Sequence, residues 1–211
     1  MTDTTHAGGR RRRWVFLIVG VATALALTGS ILGYVTTHSG PVDLNGNRVQ
    51  AEDVPTAAAS ASADPDTGGQ FVVKSVGLDV PLGALNVVGG TVEPPGFTSA
   101  YRIRNEGVST SRSSKGTVFV VMHSLRNGGV GPGNYLIDVK DQKAKVGLGT
   151  KIQVDGITYK VTGSQKVQKT ALSQSKTIWA DTPNRLVVIT CLQRREGGPS
   201  IDNLVIQAVR A

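Results

Sequence analysis

The sequence predicts a mostly β domain whose short strands form a closed or sandwiched, largely antiparallel sheet. From Phe71 onward, short runs of β-branched residues alternate with Gly, Pro, Asn and Asp turns, as in strands joined by tight connections. Asp155-Gly156 lies between two such runs, and this dipeptide favours a two-residue hairpin turn. Eight short strands with few helical segments are typical of barrels and sandwiches.

The predicted elements follow from these runs. Short helices are predicted only at Thr170–Ser175 and 97–103. The predicted strands are 71–76, 78–81, 117–123, 134–140, 151–154, 157–167, 186–191 and 203–209. Residues 71–211 therefore form one domain of roughly 140 residues, which is close to the usual size of a single domain.

Three segments precede this domain. The stretch Trp14–Val35 carries no charge and is long enough to span a bilayer of about 30 Å as a helix. Arg10–Arg13 lie before it and predict that residues 1–13 form a cytoplasmic basic tail, because cationic clusters stay on the cytoplasmic side. A cleaved signal peptide is the alternative, but its apolar core is usually only about 7–15 residues long. We therefore expect a single-pass protein of the cell membrane with its domain outside the cell and residues 36–70 as a flexible linker.

The positive charge of the chain has several possible partners. A formal net charge of +8 is compatible with binding to nucleic acid, anionic lipid or an anionic wall polymer. The lysines are spread along the sequence and aromatic residues make up only 5% of it, so no platform for stacking bases is evident. We therefore expect no nucleic-acid partner and interpret most of the charge as solubilising.

Two apolar runs each end on a residue that can do chemistry. Thr117–His123 ends on the only histidine after the linker, and Leu186–Cys191 ends on the only cysteine of the chain. A thiol and an imidazole at the ends of two buried strands fit a nucleophile and its acid/base partner. The alternative is an inert core cysteine and a structural histidine, since free cysteine is among the most buried residue types. Polar residues follow both strands, and the nearby Arg194 and Arg195 favour the thiolate form.

Metal and cofactor chemistry is poorly supported by the sequence. One Cys and one domain His, without HxxxH, CxxC or HExxH spacing, do not supply three or four metal ligands. The glycine-rich stretch 128–133 is not followed by GK[ST], so it is not a phosphate loop. We expect neither a metal nor a cofactor.

Five short motifs occur in an order that resembles a known enzyme family. The motifs are an opening strand, a Pro-containing turn, a strand that ends in His, a strand that matches the TLxTC signature only at its Thr-Cys, and a last strand. They lie at Val76–Leu82, Thr91–Pro95, Val118–His123, Val187–Cys191 and Asp202–Ile206. Residues 71–211 thus resemble the sortases, membrane-anchored cysteine transpeptidases of Gram-positive cell surfaces, and are most similar to the actinobacterial class E/F type.

The resemblance implies a fold and an activity. The fold is the sortase-type eight-stranded β-barrel with short helices, preceded by the single N-terminal transmembrane helix. By resemblance, Cys191 and His123 are catalytic and cleave an LPxTG-like sorting signal at the C terminus of surface proteins. The thioacyl-enzyme then reacts with an amine acceptor, which is a peptidoglycan precursor or a pilin lysine.

One residue departs from the family pattern. The family places an Arg on the last strand to stabilise the oxyanion and hold the substrate, and Ile201 stands at that position here. Arg195, Arg194 and Asn203 are the candidate oxyanion or substrate residues in its place. Two other functions stay open: a catalytically inactive, membrane-tethered wall-binding module, and an L,D-transpeptidase-like enzyme, although the SHGC-type signature of the latter is absent.

Overall fold

Eight strands of the chain close into a β-barrel. The computed structural model describes residues 40–49 and 56–211. The strands are β1 (Asp64–Val73), β2 (Leu78–Leu85), β3 (Ala100–Ile103), β4 (Thr117–Met122), β5 (Ile137–Asp138), β6 (Lys143–Ala144), β7 (Lys151–Val154), β8 (Ile157–Gln168), β9 (Arg185–Leu192) and β10 (Asp202–Arg210). The barrel order is β1-β2-β3-β4-β9-β10-β8-β7, and β7 pairs back with β1. The mostly β, eight-stranded barrel predicted from the sequence is therefore confirmed.

The pairing of β4 with β9 explains why both strands are continuously apolar. These two strands are parallel, as are β2 and β3, whereas the other barrel pairs are antiparallel. Parallel strands are generally covered on both faces, so they do not alternate between apolar and polar residues. One face packs into the barrel interior and the other belongs to an outer cluster. The outer cluster consists of Leu85, Tyr101, Ile103, Phe119, Val121, Ile178, Val187, Ile189 and Val205.

The hairpin between β7 and β8 has the predicted turn. Val154 pairs with Ile157, which leaves Asp155 and Gly156 as a two-residue loop. Both loop residues have positive φ, 51° and 77°, as a type I′ turn requires. This turn chemistry fixes the register of the two strands.

The helices are short. The α-helix α1 spans Lys169–Leu172 and overlaps the first half of the predicted helix at Thr170–Ser175. Single 3-10 turns lie at Ala59–Ala61, Lys74–Val76, Thr110–Lys115 and Pro132–Tyr135.

Two elements differ from the sequence prediction. The predicted helix at 97–103 is wrong, because residues 100–103 form β3, which pairs with both β2 and β4. Pairing on both sides and burial of Tyr101 decide its structure, and neither is visible in a local pattern. The predicted strand at 134–140 is largely wrong, since only Ile137–Asp138 is extended and pairs with β6 outside the barrel.

The segment before Phe71 contributes to the domain. Residues 64–70, assigned to the linker by composition, form the first part of β1, where Asp64 pairs with Ala84 and Gly69 with Leu82. Further upstream, the backbone N–H of Leu44 donates to the carbonyl of Val130 at 2.8 Å.

The predicted membrane anchor Trp14–Val35 and the basic tail lie outside the described residues. Within residues 40–49 and 56–211, no helix is long and apolar enough to cross a bilayer.

Candidate active site

The predicted nucleophile and its partner lie side by side. Met122 at the end of β4 pairs with Thr190 of β9, so the next residues, His123 and Cys191, lie at one level on neighbouring strands. Adjacent strands are about 5 Å apart, which brings the two side chains within reach of each other. Both residues line one cavity of about 450 Å³.

Strand alternation places both side chains outside the barrel interior. Val121 and Ile189, two residues before His123 and Cys191, pack in the outer cluster, and side chains two residues apart share a face. Cys191 is a free, half-buried thiol. The cavity is therefore open to the nucleophile, unlike the site of an inert core cysteine.

The ring of His123 is held by the Pro-containing turn that the sequence analysis singled out. Its Nε2 lies 2.8 Å from the carbonyl oxygen of Pro94, which can only accept, so Nε2 carries the proton. Phe97 packs edge-on against the ring, with the centroids 5.3 Å apart. Nδ1 is then the nitrogen left to exchange a proton in the cavity.

The surroundings of His123 favour the neutral imidazole. Burial is the main cause and lowers the pKa of His123 from its ordinary value of 6.5. The hydrogen bond to Pro94 and the charge of Glu93 raise this pKa, whereas the charge of Lys169 lowers it further, and the net effect is a decrease. At neutral pH the imidazole can thus accept a proton from a thiol.

A buried hydrogen-bond network ties together the chain segments that follow His123 and Cys191. The hydroxyl of Ser124 donates to the carbonyl of Cys191 at 2.6 Å. Nε2 of Gln193 donates to the Ser124 carbonyl at 2.7 Å and to its hydroxyl oxygen at 2.9 Å. Ser124 and Gln193 are only 5% and 8% exposed, so these bonds are shielded from water. The network fixes the relative position of the two strand ends.

The loop after His123 is also closed onto the strand. The N–H of Gly133 donates to the His123 carbonyl at 2.8 Å, and a Cβ at Gly133 would collide with Oγ1 of Thr190. The side chain of Asn134 accepts from the N–H of Leu125 at 2.7 Å and donates to its carbonyl at 2.8 Å. The sequence indicates only a glycine-rich loop here, although Ser124 directly follows His123 and Gln193 lies two residues after Cys191.

Of the three candidate oxyanion residues, only Asn203 lies at the cavity. Asn203 pairs directly with Cys191 across β9 and β10, is 8% exposed and lines the cavity. Arg194 instead binds Glu196, with Nε 2.9 Å from Oε1, and Arg195 is exposed; neither lines this cavity. The alternation that would bring Arg195 to the face of Cys191 does not apply, because β9 ends at Leu192.

Lys169 was missed by the sequence analysis. It is the only Lys or Arg among the described residues that line the cavity. It follows the end of β8, far in sequence from both reactive residues, and only the pairing of β8 with β10 brings it near them. No local sequence pattern indicates that Lys169 lies near His123 and Cys191.

A second cavity of about 290 Å³ adjoins the first. The two share Gly90, Val92, Ser173 and Trp179 in their linings. Together they form a groove that leads away from Cys191 between the residues before β3 and those around α1. Within the described residues, no group of three His, Cys, Asp or Glu side chains is placed to hold a metal ion.

Similarity to known proteins is found among solved structures. No family model and no curated protein sequence matches the chain. Among solved structures, the pilus-related sortase C of group B Streptococcus is similar over 68% of this chain and 66% of its own, with 14% identity and a TM-score of 0.50. Sortase A of Corynebacterium diphtheriae (a lid mutant) covers 68% of this chain and 69% of its own, with 15% identity and a TM-score of 0.48. Sortase A of Listeria monocytogenes covers 70% and 88%, with 20% identity and a TM-score of 0.46.

The likeness to sortase C establishes the fold. The domain has a sortase-type β-barrel, for which the match with sortase C is sufficient. At 14% identity the likeness concerns the fold alone. The chemistry must be argued from the residues of this chain.

Proposed function

We propose that this protein is a sortase-like cysteine transpeptidase of the class E/F type. It cleaves an LPxTG-like sorting signal and transfers the protein to an amine of a peptidoglycan precursor or a pilin. The observation that carries this proposal is the placement of Cys191 and His123 at one level on neighbouring strands, in one cavity.

The first half-reaction forms a thioester. Nδ1 of the neutral His123 accepts the proton of the Cys191 thiol, and the thiolate attacks the carbonyl carbon of the scissile peptide bond. The tetrahedral intermediate collapses, the C–N bond breaks, and the imidazolium of His123 gives its proton to the departing amine. The acyl group remains on Sγ.

The second half-reaction releases the enzyme. His123 removes a proton from the incoming amine, whose nitrogen attacks the thioester carbonyl, and the C–S bond breaks. The thiolate leaves and recovers its proton from His123. The groove next to Cys191 provides room for the residues of the sorting signal that precede the scissile bond.

The proposed enzyme activity also implies a location for the protein. An anchor at Trp14–Val35 with a cytoplasmic N terminus would hold the domain outside the membrane, where surface proteins and wall precursors are found. The partners are then surface proteins that bear a sorting signal.

The second candidate is an inactive wall-binding module on the same fold. It is favoured by Ile201, whose apolar side chain replaces the family arginine and cannot donate a hydrogen bond.

The test measures thioester formation on Cys191. The full chain is incubated with a panel of sorting-signal peptides, with and without an amine, and acylation is followed by intact mass. We expect a mass increase on the parent, release by the amine, and no acylation of Cys191→Ala. Circular dichroism checks that the variant is folded. Peptide cleavage retained by folded Cys191→Ala would end the cysteine-enzyme proposal, and a parent inert to the whole panel would favour the inactive module.

A further inference from the structure

Lys169 lies directly across from the residue that departs from the family pattern. Its backbone N–H donates to the carbonyl of Ile201 at 3.0 Å. This bond continues the β8–β10 ladder, in which Gln168 pairs with Asp202. The chain therefore carries a cation at the level of Ile201, one strand further along the sheet.

Four residues at the ends of neighbouring strands line the cavity: His123 after β4, Cys191 on β9, Asn203 on β10 and Lys169 after β8. His123, Cys191 and Asn203 lie at one level, and Lys169 lies two residues beyond Val167, the partner of Asn203. Lys169 is the first residue of α1, directly after the end of β8, and the cavity lining itself shows that its side chain lies beside Asn203.

The reach of Lys169 is sufficient for contact with a substrate bound at Cys191. Two strand spacings and two residue steps separate their Cα atoms, which amounts to about 12 Å. The flexible four-carbon stem of lysine covers roughly half of that distance, which leaves room for a peptide carbonyl between the ammonium and Cys191. The charge of Lys169 already acts on His123, as its effect on the pKa of that residue indicates.

The ammonium of Lys169 is available. It forms no hydrogen bond or ion pair with any described residue. By contrast, Lys166 on the same strand binds the carboxylate of Asp202 at 3.0 Å. The side-chain amide of Asn203 is likewise without a hydrogen-bond partner among the described residues.

We propose that Lys169 is a catalytic residue that replaces the strand arginine. This inference rests on the proposed function. When the Cys191 thiolate attacks, the electron pair of the carbonyl moves to its oxygen, and the ammonium of Lys169 and the amide of Asn203 face the resulting negative charge. Preformed donors at such a position stabilise the transition state more than the ground state.

The test compares five variants of the full chain, one of them the single substitution Ile201→Arg, by the single-turnover rate of Cys191 acylation. Lys169→Met should slow acylation by about 10²–10³-fold, as loss of an oxyanion donor typically does. Lys169→Arg should stay much closer to the parent, since it keeps the charge. Adding Ile201→Arg to Lys169→Met should recover a large part of the lost rate. Lys160→Met is the matched control, because Lys160 is an exposed lysine of β8 that does not line the cavity, and it should leave the rate unchanged.

A second measurement does not depend on turnover. Removal of a positive charge near His123 should raise the pKa of its imidazole, so NMR titration of Lys169→Met should show a higher His123 pKa than the parent. An unchanged His123 pKa would place the ammonium outside the cavity and overturn the inference.

The outcomes separate this inference from the proposed function. An active parent whose rate survives Lys169→Met would overturn the role of Lys169 and leave the proposed function intact. A parent that is inert while Ile201→Arg is active would also overturn it, because Lys169 then does not supply the missing charge. If the parent and Ile201→Arg are both inert to the panel, the proposed function fails and the role of Lys169 fails with it.

Discussion

On the β4–β9 side of the cavity, buried hydrogen bonds hold His123 and the segments after His123 and Cys191. On the β10–β8 side, the side chains of Asn203 and Lys169 have no hydrogen-bond partner among the described residues. The ring of His123 is fixed by Pro94 and Phe97, and Ser124 and Gln193 join the two strand ends. Asn203 and Lys169 form no side-chain hydrogen bonds among the described residues.

This difference separates two tasks. Preorganised groups lose little conformational entropy when a reaction begins, so the proton transfer between thiol and imidazole starts from a fixed geometry. A free lysine side chain must be ordered by the substrate, which costs roughly 1.5–2 kcal/mol of side-chain entropy. The departure from the family pattern, Ile201 with Lys169, lies wholly on the loosely held side. We therefore expect substitutions on the two sides to affect different steps.

The largest effect should come from the fixed side. His123→Ala should lower the acylation rate by roughly 10²–10⁴-fold, because no other described side chain in the cavity can both accept and donate a proton near neutral pH. In the parent, acylation should fall on the acid side at a lower pH than an ordinary imidazole would give, since burial lowers the pKa of His123 and protonation removes the base. Stopped-flow or quenched-flow measurement of the acylation rate from pH 4.5 to 8 tests both the loss in His123→Ala and the pH dependence of the parent.

His123→Ala has one control and one outcome that would contradict the prediction. Alkylation of Cys191 by a small reagent at high pH needs no base and should proceed in the variant. An unchanged acid limb in His123→Ala would mean that another group titrates, and the pairing of His123 with Cys191 would have to be abandoned.

An intermediate effect should come from the network behind the pair. Gln193→Leu removes the donor to the Ser124 carbonyl and hydroxyl, and an unsatisfied buried acceptor costs about 1–3 kcal/mol of stability. The strand ends then shift, and a misplacement on the order of 1 Å costs up to about 10²-fold in rate. We expect a slower maximal acylation rate with unchanged peptide affinity, measured by single-turnover titration.

The matched control for Gln193→Leu is Gln153→Leu. Gln153 is a half-buried glutamine on β7 that does not line the cavity. If Gln193→Leu weakened peptide binding and left the maximal rate intact, Gln193 would contact the substrate and would not position the pair.

The sequence predicted the reactive side of the cavity better than the other side. His123 and Cys191 each end a continuous apolar run, so a local pattern is enough to find them. Their proximity required only that the two runs be neighbours in a sheet, and β4 and β9 are neighbours.

The opposite wall of the cavity could not be predicted locally. Lys169 reaches it through the pairing of two strands whose register is set by long-range contacts. Arg195 is close to Cys191 only in sequence. Its expected position on the face of Cys191 depended on strand alternation, which does not extend beyond the end of β9 at Leu192. Strand β3 was missed for a similar reason, since its extended form depends on pairing with β2 and β4.

The smallest effect should come from the two arginines that follow the nucleophile. Arg194 binds Glu196 at the surface, where solvent screens the attraction between the two charges. Neither arginine lines the cavity, so neither guanidinium is positioned to face a developing oxyanion. Arg194→Ala and Arg195→Ala should therefore each change the single-turnover acylation rate by less than about threefold, within the range expected of altered long-range electrostatics. Lys169→Met, measured beside them, should lose far more, although it removes the same single charge. A loss of tenfold or more in either arginine variant would indicate that the oxyanion is stabilised by the loop after β9 and not by Lys169. The division between a fixed and a loosely held side would then have to be redrawn.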